Sequence, residues 1–138
     1  MNTKLNPYIS FKNNARQAMT FYQSVFGGEL TISTFKEFNA SQNPAEEYLV
    51  MHAMLETANG MTLMASDTPG RMEYRPGTNF SVSLSGDNEA ELTAYYEKLS
   101  AGGTVGMPLA RAMWGDMFGM CTDSFGVGWM VSIAPPKP

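Results

Sequence analysis

An internal repeat constrains the fold of this chain more than any other feature of its sequence. The segment NNARQAMTFYQSV, residues 13–25, aligns with DNEAELTAYYEKL, residues 87–99, and both carry apolar residues at helical spacing. Each segment runs into a glycine pair, Gly27-Gly28 in the first copy and Gly102-Gly103 in the second. Glycine readily adopts the left-handed conformation that ends many helices. The repeat therefore predicts two helices of similar length, each ending at glycine.

The starts of both predicted helices carry the residues of a capping box. Asn14 is followed three residues later by Gln17, and Asn88 is followed at the same spacing by Glu91. In a capping box the first side chain accepts a hydrogen bond from the backbone N–H three residues on, and the second side chain reaches back. We therefore predict that Asn14 and Asn88 cap their own helices.

Strand-like segments flank both helices in the same order. The hairpins MHAMLETANGMTLMAS and MFGMCTDSFGVGWMVS also match each other, and Asn59-Gly60 in the first is a strong hairpin signal. One strand precedes each helix and three follow it, at residues 8–11, 29–38, 47–57 and 61–66 in the first copy and 80–84, 104–113, 116–122 and 127–133 in the second. The order of elements is βαβββ, twice.

This order predicts an α+β fold built from two tandem βαβββ modules. In one module the helix covers a single face of the sheet, so the other face must be shielded or left as a cleft. Side by side, the modules would form a curved, mixed eight-stranded sheet with the helices on its convex face and a concave pocket. We expect one domain over residues 1–138, with module 1 at about 1–67, a linker at 68–78 and module 2 at about 79–134.

Composition and charge argue against several classes of function. The net charge of −4 and the pI near 4.9 disfavour nucleic-acid binding, which usually needs a basic patch. No apolar run approaches membrane-spanning length, and the N-terminal MNTKLNPYIS has no apolar core of the signal-peptide kind. The single cysteine, Cys121, allows no internal disulfide. We therefore expect a cytoplasmic protein that binds neither nucleic acid nor membranes.

Four stretches of the sequence resemble one branch of a known family. They are NPYISF near the start, NARQAMTFYQSVFG in the first helix, Trp114-Gly115, and DSFGVGWMVSI at the end. Together with the repeat, they are similar to the PhnB-like branch of the vicinal oxygen chelate superfamily, which contains glyoxalases, ring-cleaving dioxygenases, and fosfomycin and bleomycin resistance proteins. The resemblance implies a glyoxalase-like fold and a homodimer in which the partner subunit shapes part of each pocket.

Enzymes of that superfamily hold a divalent metal through His, Gln or Glu side chains on the first and last strands of each repeat. The resemblance places these four positions at Pro7 or Tyr8, at Met64, at Phe80 or Ser81, and at Met130. None of these residues is a good ligand for a hard metal ion, and a Met thioether would at most suit copper(I). We therefore expect no metal at the family site and no other cofactor.

These positions and their strand neighbours define a candidate pocket. We predict that it is lined by Tyr8, Ser10, His52, Met64, Ser66, Ser81, Trp114 and Met130. His52 is the single histidine and has two interpretations: a strand residue satisfied by a neighbour, or a base or hydrogen-bond donor that shares the pocket face with Met54 and Glu56. Trp114 would either stack on a planar ligand or anchor the dimer.

For the other chemically capable residues we favour structural interpretations. Cys121 has no CxxC motif and no second histidine nearby, so we interpret it as a buried thiol. Trp129 alternates with Met130 and would pack against a helix, while Asp67 would start a turn. Three arginines could hold an anionic ligand through bidentate contacts. They are Arg71, Arg75 and Arg111, of which the first two fall in the linker, where a solvated role is favoured.

The inventory favours a metal-free, dimeric protein that binds a small molecule. Such a protein needs a largely apolar pocket with a few polar groups and no reacting residue, which the Met, aromatic and Ser residues provide. The alternative is a lyase, isomerase or dioxygenase of the same superfamily, with displaced metal ligands or with His52 as acid and base. The missing donors weigh against an enzyme. A third reading is a structural dimerisation module with a filled cavity.

Overall fold

The computed structural model describes residues 2–41 and 43–135. The chain divides into two compact units; unit 1 ends at Gly77 and unit 2 begins at Thr78. Each unit contains one α-helix and one mixed four-stranded sheet, so the predicted α+β class and the two βαβββ modules are confirmed. The curved eight-stranded arrangement concerns the placement of the two units and stays a prediction.

Unit 1 follows the predicted order of elements. They are β1 (Tyr8–Phe11), α1 (Ala15–Phe26), β2 (Glu29–Thr34), β3 (Val50–Glu56) and β4 (Thr62–Asp67). The sheet order is β1-β4-β3-β2, with β1 parallel to β4 and the other pairs antiparallel. The strand predicted at 29–38 is shorter, because its pairing shifts between Ser33 and Thr34 and a 3-10 turn follows at Lys36–Phe38. A second 3-10 turn, Pro44–Glu46, precedes β3.

Unit 2 repeats this topology. Its elements are β5 (Val82–Gly86), α2 (Glu89–Ser100), β6 (Thr104–Arg111), β7 (Met117–Thr122) and β8 (Gly128–Ile133). The sheet order β5-β8-β7-β6 again places the first strand parallel to the last, with antiparallel pairs elsewhere. The predicted first strand at 80–84 was therefore two residues too early. Among the described residues, no helix is both long and apolar enough to cross a membrane.

Each sheet buries alternate residues against its own helix, as a period of two requires. In unit 1 the buried strand residues include Ile9, Phe11, Ala53, Leu55 and Ala65, and α1 buries Ala15, Ala18, Met19, Tyr22 and Val25. In unit 2 they include Cys121, Trp129, Val131 and Ile133, and α2 buries Leu92, Tyr96 and Leu99. Each large apolar side chain buried in this way stabilises the fold by about 1.5–3 kcal/mol.

The two helices begin differently, and one prediction about them was wrong. Asn88 caps α2, because its Oδ1 accepts a hydrogen bond of 3.1 Å from the backbone N–H of Glu91. Asn14 makes no such bond. The cap of α1 comes instead from Asp67, whose Oδ1 accepts from the backbone N–H of Ala15 at 2.9 Å.

Asp67 therefore does more than start a turn. It is 4% exposed, and its second carboxylate oxygen accepts a hydrogen bond of 2.9 Å from the backbone N–H of Val50. The carboxylate thus joins the end of β4 to the starts of α1 and β3. Because a buried carboxylate is costly unless it is hydrogen-bonded, these donors make its burial tolerable.

Both helices end at their glycine pairs, as predicted. Gly27 has a φ of +72° and donates its N–H to the carbonyl oxygen of Gln23 at 2.8 Å, while Gly102 has a φ of +79°. The second glycine of each pair touches a neighbouring strand: a Cβ at Gly28 would overlap the carbonyl oxygen of Glu56, and a Cβ at Gly103 that of Thr122. The glycines therefore permit both the turn and the close approach that follows it.

Candidate functional site

The register of unit 1 brings five of the predicted site residues to the sheet face opposite α1. These are Tyr8 and Ser10 on β1, His52 on β3, and Met64 and Ser66 on β4. The residues that alternate with them, such as Ile9, Ala53 and Ala65, are buried on the helix side. Together with Thr31, Ser33 and Met54, the five residues form what we call the open face of unit 1. The prediction that His52 shares a face with Met54 is confirmed.

The open face of unit 1 consists of two rows that run across the strands. The first row is Tyr8, Met64, Met54 and Thr31, and the second is Ser10, Ser66, His52 and Ser33. Thioethers are polarisable and adapt to irregular shapes. Hydroxyl and imidazole groups donate and accept hydrogen bonds. The face therefore offers an adaptable apolar surface beside a hydrogen-bonding one.

Tyr8 and His52 contact each other on this face. The Tyr8 hydroxyl lies 3.4 Å from His52 Nδ1, and the ring centroids are 5.8 Å apart at an interplanar angle of 34°. If the phenol donates, Nδ1 is the acceptor and Nε2 carries the hydrogen that is available to a ligand. His52 thus has a neighbour, Tyr8, that can satisfy it as a strand residue. It also lies on the face where it could act as a base or hydrogen-bond donor, so both interpretations stay open.

The open face of unit 2 repeats the paired methionines and serines and differs from that of unit 1 at its other positions. Its first row is Ser83, Met130, Met120 and Met107, and its second row is Ser85, Ser132, Phe118 and Ala110. In both units the last strand and its antiparallel neighbour pair two methionines, and the first and last strands pair two serines. Phe118 stands in unit 2 where His52 stands in unit 1.

The register corrects one predicted position. In unit 1 Tyr8 pairs with Met64, and in unit 2 Ser83 pairs with Met130. Ser83 therefore holds the place that we assigned to Phe80 or Ser81, both of which precede β5. Ser81 instead lies beside Gly128, at which a Cβ would come within 3.2 Å of the Ser81 hydroxyl.

Trp114 lies in the turn between β6 and β7 and leans on the open face of unit 2. It is 65% exposed, and its ring meets Phe118 edge-on with centroids 5.6 Å apart. The turn is held by Arg111, whose guanidinium donates to the carbonyl oxygen of Gly115 at 2.9 Å. The indole therefore extends the apolar surface that Phe118 begins, and Arg111 has a structural hydrogen bond.

Asp123 is a buried acid whose role the sequence did not reveal beyond turn chemistry. Its Oδ1 accepts hydrogen bonds from the backbone N–H groups of Phe125 and Val127, at 2.8 and 3.1 Å. Its Oδ2 accepts from the indole Nε1 of Trp129 at 2.8 Å. An aspartate at the end of a strand, six residues before a tryptophan, was the available signal. Its bonds fix the turn that leads into β8.

Cys121 and Trp129 lie on the helix side of the sheet of unit 2, as predicted. They are 4% and 2% exposed, and the Cys121 thiol is free. Burial, together with the nearby Asp123 carboxylate, raises the pKa of the Cys121 thiol above its ordinary value of 9.0. A thiol that stays protonated is a poor nucleophile. The thiol therefore contributes to packing.

A family model spans both units of this architecture. The model of the Glyoxalase/Bleomycin resistance protein/Dioxygenase superfamily matches residues 4–131. The chain belongs to this superfamily. The match extends from before β1 into β8, so it covers both open faces.

Three relatives are similar to this chain over nearly the whole length of both sequences. Protein YjdN of Escherichia coli (strain K12) is 29% identical, over 97% of each chain. The crystal structure of protein PA1353 from Pseudomonas aeruginosa is 36% identical, covers 98% of this chain and 100% of its own, and superposes with a TM-score of 0.84. The PhnB protein from Bacillus cereus is 28% identical, with coverages of 96% and 100% and a TM-score of 0.73. The resemblance to the PhnB-like branch is thereby confirmed.

The donor set at the metal positions of the superfamily does not fit a hard divalent ion. The resemblance implies that Tyr8, Met64 and Met130 hold three of these positions, and the register adds Ser83 as the strand partner of Met130. Together they supply a phenol, a hydroxyl and two thioethers. Such ions prefer carboxylate, imidazole or amide donors. In residues 2–41 and 43–135, no three His, Cys, Asp or Glu side chains lie close enough together to hold a metal ion. We derive no chemical step through a metal at this site.

Proposed function

We propose that this superfamily member is a dimeric protein that binds a small molecule without a metal ion, through the open faces of its two units. The observation that carries the proposal is the pairing of Tyr8 with Met64 and of Ser83 with Met130. By the resemblance, these pairs correspond to the places where enzymes of the superfamily have metal ligands. Phenol, hydroxyl and thioether groups can contact an organic ligand, but they are poor partners for a hard cation.

The composition of the open faces supports binding. Small-molecule sites are mostly apolar, with a few polar groups that fix the orientation of the ligand. The paired methionines supply the apolar part in both units, and Phe118 with Trp114 adds aromatic surface in unit 2. The serines and His52 supply directional hydrogen bonds in unit 1. We expect a ligand with an apolar body and several hydrogen-bonding groups.

An enzyme is the second candidate, and the contact between Tyr8 and His52 is the observation that favours it. An imidazole next to a phenol can move a proton to or from a bound molecule. In that case His52→Gln would abolish turnover, whereas Tyr8→Phe would lower the rate and shift its pH profile. If His52 only orients a ligand, His52→Gln weakens binding and no turnover is found with the wild-type protein.

Two further parts of the proposal concern assembly and location. The dimer is an expectation from the PhnB-like resemblance. The free thiol of Cys121 is compatible with a reducing compartment, and we propose a cytoplasmic location.

Native mass spectrometry of untagged protein, purified without chelators, tests the proposal. We expect a dimer that carries additional small-molecule mass and no stoichiometric divalent ion. A dimer with one divalent ion per subunit would overturn the metal-free assignment and favour the enzyme. A dimer with no additional mass and no affinity for a metabolite extract would favour the structural dimerisation module.

A matched pair of variants locates the ligand. Met64→Leu nearly keeps the side-chain volume but removes the thioether from the open face of unit 1, and Met19→Leu makes the same change on the buried side of α1. We expect Met64→Leu to reduce the retained small-molecule mass, and Met19→Leu to leave it unchanged. Equal effects of the two substitutions would contradict binding on the open face.

A further inference from the structure

A pocket lies in unit 1 away from the open face, and none of its lining residues belongs to that face. Two connections form it: the stretch between β2 and β3, and the turn after β4. Its volume is about 240 Å³, below the range of drug-sized sites and suited to a smaller molecule. Glu46 fastens the two connections together, because its Oε2 accepts a hydrogen bond of 2.8 Å from the backbone N–H of Gly70.

The lining combines an apolar wall with two opposite charges. Phe35 is 7% exposed and Pro69 is buried, so these rings form the wall. Glu46 brings a carboxylate, and Arg71 brings a guanidinium at the exposed side. Of the described residues, none forms an ion pair with either group; the ion pair of this stretch joins Arg75 to Glu73 at 2.6 Å.

Most of the remaining polar groups that line the pocket already form hydrogen bonds within the protein. The Ser41 hydroxyl donates to the carbonyl oxygen of Asn43 at 2.7 Å and accepts from its N–H at 3.1 Å. The side-chain oxygen of Asn43 accepts from the N–H of Ala45 at 3.0 Å. Glu46 Oε1, the Asn43 amide N–H groups and the Arg71 guanidinium therefore remain for a ligand.

We propose that this pocket binds a free amino acid, with its ammonium group at Glu46, its carboxylate at Arg71 and its side chain against Phe35 and Pro69. A simple anion would meet the Glu46 carboxylate, and a simple cation would meet Arg71, so each is opposed by one of the two charges. A zwitterion satisfies both, and a guanidinium binds a carboxylate through paired hydrogen bonds. This site is separate from the proposed function and does not depend on it.

Isothermal titration calorimetry with the common L-amino acids tests the proposal. We expect at least one to bind at millimolar or lower concentration. Its N-acetyl derivative, which lacks the ammonium, and its amide, which lacks the carboxylate, should each bind at least about tenfold more weakly, because a hydrogen bond to a charged group is lost. No binding by any amino acid, or equal binding of the parent and its two derivatives, would overturn the proposal.

Three variants place the site. Glu46→Gln removes the charge but keeps an acceptor for the Gly70 N–H, and Arg71→Gln removes the opposite charge from an exposed position. Arg75→Gln is the matched control, since Arg75 lies in the same segment but does not line the pocket. We expect each of the first two to weaken binding at least about tenfold and the control to bind normally. Full amino-acid binding by Arg71→Gln would refute the site. Because the pocket is separate from the open faces, none of the three variants should change the small-molecule mass that the protein retains there.

Discussion

The two units contain the same order of strands and one helix, but the residues that cap their helices differ in position. One cap is adjacent to its helix in the sequence, and the other comes from the end of a distant strand. In unit 2 Asn88 caps α2 from the adjacent position. In unit 1 Asp67, at the end of the last strand, caps α1 and also binds the start of β3. The local cap stabilises one helix, whereas the distant cap joins three elements. The same topology is therefore compatible with quite different cooperativity within each unit.

The open faces of the two units show the same division between constant and variable features. The paired methionines and paired serines recur on equivalent strands, whereas the other positions of the rows differ. Unit 1 has Tyr8 and His52 where unit 2 has Ser83 and Phe118. Together with the residues at the β2 and β6 ends of the rows, these side chains make the face of unit 1 richer in hydrogen-bonding groups and the face of unit 2 richer in apolar ones. Function resides in such grafted side chains rather than in the fold.

The difference between the caps predicts the largest effect. Asp67→Ala removes a buried acceptor from two backbone N–H groups, so we expect it to lower the free energy of unfolding by about 3–5 kcal/mol. Asn88→Ala removes one exposed cap and should cost only about 1 kcal/mol. Urea unfolding followed by circular dichroism measures both. Equal losses would mean that Asp67 acts only locally.

Gly28 tests the close approach that both units share. Gly28→Ala places a Cβ against the carbonyl oxygen of Glu56 in a residue with a φ of +98°, and we expect a loss of about 2–4 kcal/mol. Gly27→Ala is the control, since its Cβ would meet nothing within 4 Å. Only backbone strain remains, about 1–3 kcal/mol at a φ of +72° and a ψ of −168°. Thermal unfolding of the two variants decides the question. A smaller loss for Gly28→Ala than for Gly27→Ala would contradict the packing described here.

Met130→Glu tests whether the paired methionines form an apolar surface. The half-buried carboxylate would lie between Ser83 and Met120, which are both uncharged, and we expect a loss of about 1–2 kcal/mol at neutral pH. Protonation should restore much of this loss, so the difference from the wild-type protein should shrink in acid. Denaturant midpoints measured across pH provide the test. Unchanged stability at neutral pH, without bound metal, would argue that Met130 faces open solvent.

Cys121 distinguishes the cores of the units, since it stands where unit 1 has Leu55. Burial keeps the pKa of the folded thiol above 9.0, whereas the unfolded thiol titrates near its ordinary value. The unfolded chain therefore loses this proton first, and stability falls as pH rises above about 9. Cys121→Ala lacks this contribution, so its stability relative to the wild-type protein should improve at alkaline pH. A stability difference that stays constant with pH would contradict the buried thiol.

The smallest effect on stability is expected at His52. His52→Gln keeps a half-buried polar side chain next to Tyr8, so the free energy of unfolding should change by no more than about 0.5 kcal/mol. Loss of the retained small-molecule mass in this stable variant would place His52 in the binding site. Unchanged retention would leave it a strand residue satisfied by Tyr8.

Sequence periodicity predicted the elements and the faces, but not every register. In FSVSLSG the alternation of serine with apolar residues indicates which side chains share a face. It does not indicate which serine meets Met130, because a shift of two residues keeps the same face. Pairing with β8 selects Ser83 rather than Ser81.

Long-range contacts explain the other differences. Asn14 has the sequence of a local cap, but Asp67 is brought to the start of α1 only when β4 pairs with β1. The contact between Tyr8 and His52 likewise needs β1 and β3 on either side of β4. By contrast, the helix ends could be predicted from the glycine pairs in the sequence, because a helix end depends on local backbone conformation.

Methionine methyl NMR tests most directly whether the open faces bind a small molecule. The protein would be labelled at its methionine methyl groups, freed of ligand by refolding, and titrated with the small-molecule fraction released from denatured protein. We predict shifts at Met54, Met64, Met120 and Met130 and none at Met19, which is buried on the sheet-facing side of α1. Shifts confined to exposed residues such as Met72 and Met113, or no shifts at all, would contradict the account.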